Sequence, residues 1–104
     1  MKWQYEDRRI FNVDTTGQLM AELVYSLEDS GEIVIERTFV NPELRGQGIA
    51  VQLMETALAY FREKGFKVTA TCSYAHSYLQ KNRQLYADII STDFDKAQVA
   101  CKIN

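Results

Sequence analysis

Apolar and polar residues alternate along the first forty residues in three short runs, each followed by turn-forming residues. The runs at residues 9–13, 19–27 and 33–40 are rich in β-branched and aromatic side chains, and they predict three β-strands. Asp-Thr-Thr-Gly at residues 14–17 and Glu-Asp-Ser-Gly at residues 28–31 predict the turns between them. Because both connections are short, the three strands are expected to form an antiparallel meander.

The pattern changes from strand spacing to helix spacing after the third run. Apolar residues at helical intervals predict one helix over residues 48–64. Its predicted core face consists of Ile49, Leu53, Ala57, Leu58 and Phe61. Gly65 fits the position that ends a helix. Residues 66–71 predict a fourth strand, which a helical crossover allows to lie parallel to the third.

The last third of the chain has a less regular pattern. Ser73 predicts the N-cap of a second helix directly after the fourth strand. Residues 84–90 predict a further helical piece, and Phe94, Ala97 and Cys101 fit a helical spacing loosely. Strands followed by alternating helix and strand predict an α/β fold with a mixed sheet.

The composition bounds the class of protein. With 104 residues, 46% of them hydrophobic and 25% charged, the chain is expected to form one globular domain over residues 1–104. A net charge of −2 without a basic run argues against nucleic acid as a partner. The charged N-terminus lacks an apolar segment and no run approaches membrane-spanning length, so a cytoplasmic protein without membrane contact is expected. Cys72 and Cys101 have no metal-ligand spacing with His76, so no metal site is expected.

Two glycines, Gly46 and Gly48, lie at the joint between the third strand and the first helix. Glycine allows unusual backbone angles, and the first turn of a helix offers unpaired N–H groups with a partial positive charge. Strand, glycine-rich turn and helix in this order predict a phosphate-binding loop. A nucleotide P-loop would need Lys and Ser or Thr after Gly48, and a dinucleotide fingerprint would need glycine instead of Val51. The alternative is a tight turn that binds no ligand.

The residues of this joint, Arg-Gly-Gln-Gly-Ile-Ala at residues 45–50, resemble the acyl-CoA loop of the GNAT N-acetyltransferase superfamily. That motif reads Arg/Gln-x-x-Gly-x-Gly/Ala. The order of strands, loop and helices also matches the family, most clearly over residues 32–86. The resemblance implies a short GNAT-like fold in which two parallel strands splay where acetyl-CoA enters.

The chain is similar in particular to a group of small, single-domain GNAT-like proteins. That group shares three stretches of the form His-Thr-x-Val, Arg-Gly-x-Gly-Ile-Ala and Cys-Ser/Pro-Tyr/Phe-Ala-x-x-Tyr. The second stands here at residues 45–50 and the third at residues 72–78. The first departs from the group, because Arg37 replaces the histidine. Arginine cannot act as a base at neutral pH, and this weakens the case for catalysis.

The resemblance also implies how acetyl-CoA is held. The glycine loop would wrap the pyrophosphate, Arg45 would pair with a phosphate oxygen, and main-chain groups of the preceding strand would meet the pantetheine arm. A main-chain N–H between Phe39 and Asn41 would polarise the acyl carbonyl. The cofactor-binding residues implied in this way are Phe39, Val40, Arg45, Gly46, Gln47, Gly48, Ile49 and Ala50.

Glu36 is a candidate base for removing a proton from an amine acceptor. It stands two residues before Thr38, so strand alternation predicts that both side chains share one face. A carboxylate there can act directly or through water. The alternative is a solvated sheet residue or an ion-pair partner of Arg37.

Cys72 and Tyr78 are the other catalytic candidates. Cys72 ends the fourth strand just before a helix N-terminus, where thiolates are favoured, so it is a catalytic or acyl-accepting cysteine or else a small buried residue. By resemblance, a tyrosine near Tyr78 protonates the CoA thiolate, and Tyr74 lies one turn away. Core packing is the alternative for Tyr78. The lone His76 is predicted at the surface, with a base or a phosphate contact as the alternatives.

Three functions follow from these patterns. The leading one is acetyl-CoA binding with N-acetyl transfer to an unidentified amine, by direct attack on the thioester or through Cys72. The second is an acyl-CoA-binding module with little or no transferase activity, which the replaced histidine favours. The third is a protein-interaction domain that keeps the fold, against which the intact loop argues. The acceptor and the oligomeric state are open at this point.

Overall fold

The computed structural model describes residues 2–92 and 94. The elements are β1 (Gln4–Glu6), β2 (Arg9–Val13), β3 (Leu19–Leu27), β4 (Glu32–Val40), a short 3₁₀-helix (Pro42–Leu44), α1 (Ile49–Glu63), β5 (Lys67–Ala70) and α2 (Ser73–Lys81). They form one five-stranded sheet in the order β1-β2-β3-β4-β5. The first four strands are antiparallel and β5 is parallel to β4, which confirms the predicted mixed sheet. Strand β1 was not predicted.

Helix α1 forms the predicted amphipathic element. All five predicted core-face residues are buried, and Met54 joins them. Phe61 packs edge-on against Tyr25 of β3 with ring centroids 4.9 Å apart. After the helix, Gly65 has φ +77°, and the N–H of Phe66 donates to the carbonyl of Phe61 at 3.0 Å. This pair of features is a Schellman-type ending, so Gly65 ends the helix as the sequence predicts.

A β-bulge interrupts the register between β3 and β4. Tyr25 lies opposite Ile35 and Val24 lies opposite Arg37, so Glu36 is an extra residue on β4. Two residues of a bulged strand oppose one residue of the partner, and side-chain alternation shifts at that point. The prediction that Glu36 and Thr38 share one face of the strand is therefore wrong, because it assumed that side chains alternate without interruption along β4.

Helix α2 begins one residue away from the predicted cap. Cys72 has extended backbone angles (φ −72°, ψ 128°) and occupies the N-cap, while Ser73 is already helical. The Cys72 side chain makes no hydrogen bond to the N–H groups of the first helical turn. Within residues 2–92 and 94, no helix is long and apolar enough to cross a membrane.

The segment at residues 84–90 forms turns, not the predicted helix. It lies along the outer edge of β5, where the N–H of Val68 donates to the carbonyl of Ile89 at 2.6 Å. The guanidinium of Arg62 also binds the Asp88 carboxylate, at 2.7 and 2.9 Å. Further along, the ring of Phe94 is buried, and the loose helical spacing at Ala97 and Cys101 lies outside the described residues.

Candidate functional site

Asn41 fixes the exit of the chain from β4. It is buried, with 7% of its surface exposed. Its side-chain oxygen accepts a hydrogen bond from the N–H of Glu43 at 3.0 Å, and its amide nitrogen donates to the carbonyl of Leu19 at 3.2 Å. The following Pro42 starts the 3₁₀-helix, where its fixed φ fits the first position. These hydrogen bonds of Asn41 therefore fix the start of the connection between β4 and α1 to the sheet.

The glycine loop, residues 45–50, leads from this 3₁₀-helix into α1. Gly46 (φ +82°) and Gly48 (φ +73°) both have left-handed backbones, which glycine adopts without strain. An added Cβ at either position would meet no atom within 4 Å, so the space beside the loop is open. Gly48 is the N-cap of α1, and the first turn of the helix contains no acidic residue. Its unpaired N–H groups therefore form an uncompensated positive end that suits an anion.

A cavity of about 270 Å³ lies over this loop. Six of the eight predicted cofactor-binding residues line this cavity: Val40, Arg45, Gly46, Gly48, Ile49 and Ala50. Leu44 and Val51, which the sequence analysis did not single out, also line it. Gln47 is not part of the lining, and its side-chain amide lies 3.4 Å from the carbonyl of Glu43. The side chains around the loop are mostly small or apolar, so main-chain groups supply most of its polarity.

Strands β4 and β5 part beside the loop. β4 pairs with β5 only as far as Ile35, although β4 continues to Val40. The N–H groups of Thr71 and Cys72 both donate to the carbonyl of Ile35, at 3.0 and 3.1 Å. After this point residues 36–40 have no strand partner on that side among the described residues. This parting confirms the expected splayed pair of parallel strands.

The main chain of Thr38 and Val40 faces this free edge of β4. The N–H of Asn41 donates to the carbonyl of Met20 at 2.7 Å, so the main chain of Asn41 faces β3. Successive residues of an antiparallel strand turn their polar groups to alternate sides. Phe39 therefore also faces β3, whereas Thr38 and Val40 present N–H and C=O groups to the cleft. The sequence analysis named Phe39 and Val40 but not the main chain of Thr38.

Cys72 lies at the inner end of the same cleft. It is half-buried at the N-cap of α2, and its Sγ lies 3.4 Å from Oγ1 of Thr38. The parting of β4 from β5 thus brings two residues 34 positions apart into contact. The thiol is therefore next to a strand position whose main chain is free of a strand partner on that side among the described residues.

The two tyrosines of α2 have different surroundings. Burial raises the pKa of Tyr78 well above its usual range, and a hydrogen bond with Tyr86 raises it further. Its ring lies between those of Tyr74 and Tyr86, with centroids 6.4 and 6.1 Å away. Burial also raises the pKa of Tyr74, and the charge of Cys72 adds to that rise. Cys72 therefore contributes to the pKa of Tyr74, whereas Tyr86 is the hydrogen-bond partner that contributes to the pKa of Tyr78.

The remaining candidates have solvent-facing or packing environments. Glu36 and Arg37 are exposed at the bulge, and the guanidinium of Arg37 lies 5.8 Å from the ring centre of Phe39. His76 is half-buried and stacks on Phe94 with ring centroids 4.4 Å apart. The part of the chain that the structure describes holds no group of three or more His, Cys, Asp or Glu side chains placed to bind a metal ion.

A sequence comparison agrees with this architecture of a glycine loop, a free strand edge and a helix between two parallel strands. A profile of the family described as GCN5-related N-acetyl-transferase matches residues 8–89. The chain belongs to this family. Among curated protein sequences, none matches the chain.

Solved structures of GCN5-related proteins share the fold. A GCN5-like protein from Staphylococcus aureus is 28% identical, with 86% of this chain and 87% of that chain covered and a TM-score of 0.69. The GNAT family N-acetyltransferase YhbS from Escherichia coli, solved in complex with CoA, is 26% identical with a TM-score of 0.56. That match covers 64% of this chain and 41% of YhbS. This chain therefore spans most of the first relative and less than half of the second.

Proposed function

We propose that this member of the GCN5-related family binds acetyl-CoA at the glycine loop and transfers its acetyl group to an amine. One observation carries the proposal. The free edge of β4 leads directly into a loop with two left-handed glycines and an uncompensated helix N-terminus. A long ligand with an anionic and an amide-bearing part needs these two features side by side. The CoA complex of the related YhbS supports the same reading.

The chain's residues divide between the two ends of acetyl-CoA. The N–H groups at the start of α1 hold the pyrophosphate, and the exposed guanidinium of Arg45 pairs with a phosphate oxygen. Val40 and Thr38 offer main-chain donors and acceptors to the pantetheine amides. Open space beside Gly46 and Gly48 lets phosphate approach the backbone, so the residues present fit the group.

The acyl end lies at Thr38 and Cys72. Acetyl-CoA supplies an activated acyl group, and the N–H of Thr38 donates a hydrogen bond to the carbonyl oxygen as negative charge develops there. The exposed Glu36 carboxylate accepts the proton of the amine through water, since it does not share the face of Thr38. Tyr74 is assigned as the proton donor to the departing thiolate, because Cys72 contributes to its pKa whereas the hydroxyl of Tyr78 pairs with Tyr86.

Two routes share this geometry. In the leading route, the amine attacks the thioester directly while both substrates are bound. In the variant, the Cys72 thiolate displaces CoA to form an acyl-cysteine, and the amine then releases the acetyl group from the sulfur. The direct route is favoured because it needs only the free main chain of β4 and a solvent-facing base.

A second candidate function is acyl-CoA binding without transfer. The exposed Arg37 stands where the small GNAT-like group has histidine, and it cannot remove a proton from an amine at neutral pH. Binding without transfer uses the same contacts at the glycine loop and requires no catalytic role for Glu36 or Tyr74.

Release of free CoA thiol in the presence of amines separates the two functions. The purified chain is mixed with acetyl-CoA and, in turn, with a peptide bearing a free N-terminus, a lysine peptide and spermidine. A transferase releases thiol only when an accepted amine is present. If acetyl-CoA binds but none of the three acceptors raises thiol release above the rate without protein, the result supports acyl-CoA binding without transfer.

A matched pair of variants tests the assignment of the proton donor. Tyr74→Phe is expected to lower kcat by roughly 100-fold, a usual effect of removing a general acid, with KM for acetyl-CoA nearly unchanged. Tyr78→Phe, whose hydroxyl pairs with Tyr86, is expected to leave kcat almost unchanged. The reverse order of the two losses would assign the role to Tyr78 instead.

A further inference from the structure

A second cavity lies at the opposite end of α1 from the glycine loop. Its volume is about 520 Å³, within the range of small-molecule sites. This distal cavity is lined by Tyr5, Glu6, Asp7, Arg8, Tyr25, Leu27, Tyr60, Lys64 and Phe66. Fifteen helical residues span roughly 22 Å, so the distal cavity is separate from the proposed cofactor site.

Five of the nine residues that line the distal cavity are aromatic or apolar. The rings of Tyr5 and Tyr60 touch at a centroid distance of 5.0 Å, with planes tilted by 36°. Tyr5 and Leu27 are among the exposed large hydrophobic residues, at 50% and 41% exposure. Apolar side chains that are exposed together around a concavity, not scattered singly, indicate a contact site.

One residue that lines the distal cavity, Tyr25, is almost completely buried. Tyr25 is only 8% exposed, and its hydroxyl has no hydrogen-bond partner among the residues that the structure describes. Burial raises the pKa of Tyr25, and Tyr60 and Asp7, which line the same cavity, raise it further. Because Tyr25 lines the cavity, its hydroxyl is placed to bond a ligand there.

The rim of the distal cavity contains a strained turn and charged groups. Arg8 is the one described non-glycine residue with a left-handed backbone, at φ +65°. Its carbonyl accepts a hydrogen bond from the N–H of Tyr25 at 3.0 Å, which holds the turn over the cavity. Glu6 pairs with Arg9 at 3.2 Å, whereas Asp7, Arg8 and Lys64 form no ion pair with a described residue. The lining thus holds two carboxylates and two cations, and with Glu6 paired to Arg9 the three remaining charges sum to one positive charge.

We propose that the distal cavity is a second binding site, for a small aromatic carboxylate. The ring of the ligand packs among Tyr5, Tyr60 and Phe66, and its carboxylate pairs with Lys64 and Arg8 at the rim. A polar substituent at the far end of the ring bonds the Tyr25 hydroxyl. The site is independent of the proposed transferase activity.

Titration followed by amide chemical shifts tests the proposal with compounds that share one ring and differ in charge. 4-Hydroxyphenylacetate is expected to shift the amides of Arg8, Tyr25 and Tyr60 saturably at millimolar concentration, and to leave Gly46 and Gly48 unchanged. Tyramine, which carries an ammonium in place of the carboxylate, is expected to bind more weakly. Equal or tighter binding of tyramine would overturn the carboxylate assignment, and no saturable shift with either compound would overturn the site.

Two variants identify the groups that hold the ligand. Tyr25→Phe keeps the ring that packs on Phe61, and it is expected to weaken 4-hydroxyphenylacetate about fivefold while leaving phenylacetate unchanged. The exposed Lys64→Gln is expected to weaken both acids. Unchanged affinity in both variants would contradict the proposal. Acetyl-CoA affinity is measured alongside, and neither substitution is expected to alter it.

Discussion

At the scale of single residues, the candidate site depends more on backbone than on side chains. Gly46 and Gly48 turn the chain so that N–H groups at the start of α1 face open space. Thr38 and Val40 contribute main-chain groups because β5 leaves β4 at Ile35. Among the side chains near the cleft, the Cys72 thiol has the most specific position, 3.4 Å from Oγ1 of Thr38.

The position of Cys72 predicts protection by the ligand. In a Cys101→Ser background, alkylation of Cys72 by iodoacetamide is expected to slow strongly when acetyl-CoA saturates the protein, because the acyl end then covers the thiol. Free adenosine diphosphate, which lacks the pantetheine arm, is the control and should protect much less. An alkylation rate that acetyl-CoA does not change would place the acyl group away from Cys72.

At the scale of elements, sequence patterns predicted the parts that local rules determine. Helix α1 has an amphipathic stripe and a glycine stop, so its extent and its buried face agreed with the pattern. The segment at residues 84–90 was predicted wrongly because contacts with Arg62 and with Val68 at the edge of β5 hold it in a series of turns. Such contacts come from parts of the chain distant in sequence, and helical spacing cannot report them.

The candidate site was also predictable only where local sequence determines the structure. The glycine loop could be predicted, because residue type and order largely determine it. The bulge at Glu36 could not, since nothing in the run at residues 33–40 marks one residue as extra. That bulge decides which main-chain groups of β4 face the cleft, so Thr38 was missed and the face of Glu36 was predicted incorrectly.

The packing of α1 predicts a large stability effect at Phe61. Phe61 is fully buried against Tyr25, so Phe61→Ala should lower the free energy of unfolding by about 3–5 kcal/mol. Gln52→Ala on the exposed face of the same helix is the control, with an expected change within about 0.5 kcal/mol. Urea denaturation measures both. A loss below that of a surface substitution would contradict the core position of Phe61.

The turn between β2 and β3 predicts a pH-dependent contribution from Asp14. Its carboxylate accepts hydrogen bonds from the Thr16 hydroxyl at 2.7 Å and from the N–H of Gln18 at 2.9 Å, and these lower its pKa. A lowered pKa means that the charged form stabilises the fold, so the contribution is present at neutral pH and is lost as pH falls through the lowered pKa.

Thermal melting across pH measures this contribution. Asp14→Asn should melt below the wild type at pH values above about 5, and the difference should shrink as the solution is acidified below about pH 4. Asp29→Asn, in the next turn, is the control. A difference for Asp14→Asn that stays constant from neutral to acidic pH would contradict the account.

At the scale of the whole molecule, α1 lies between the candidate cofactor site and the distal cavity. Its N-terminus carries the glycine loop and the parted strands, and its C-terminal end borders the distal cavity. The family and the fold were predictable because a short loop motif and the order of elements both indicated them. The distal cavity was not predictable, because β1 was missed and the lining of the cavity comes from three separate stretches of the chain.

The most direct test of the central claim is a calorimetric titration of acetyl-CoA into wild type, Gly48→Glu and Gly65→Glu. Both glycines have left-handed backbones, at φ +73° and +77°, with open space beside them. Each substitution therefore adds similar strain, about 1–2 kcal/mol. Only Gly48 lies at the proposed pyrophosphate site, and thermal melts verify that both variants fold.

Wild type and Gly65→Glu are predicted to bind acetyl-CoA with similar affinity, and Gly48→Glu is predicted to lose binding. The added carboxylate fills the space over the loop and repels phosphate from the helix N-terminus. Equal affinity in the two variants, or no binding by the wild type at millimolar concentration, would contradict the account and leave the glycine loop as a structural turn.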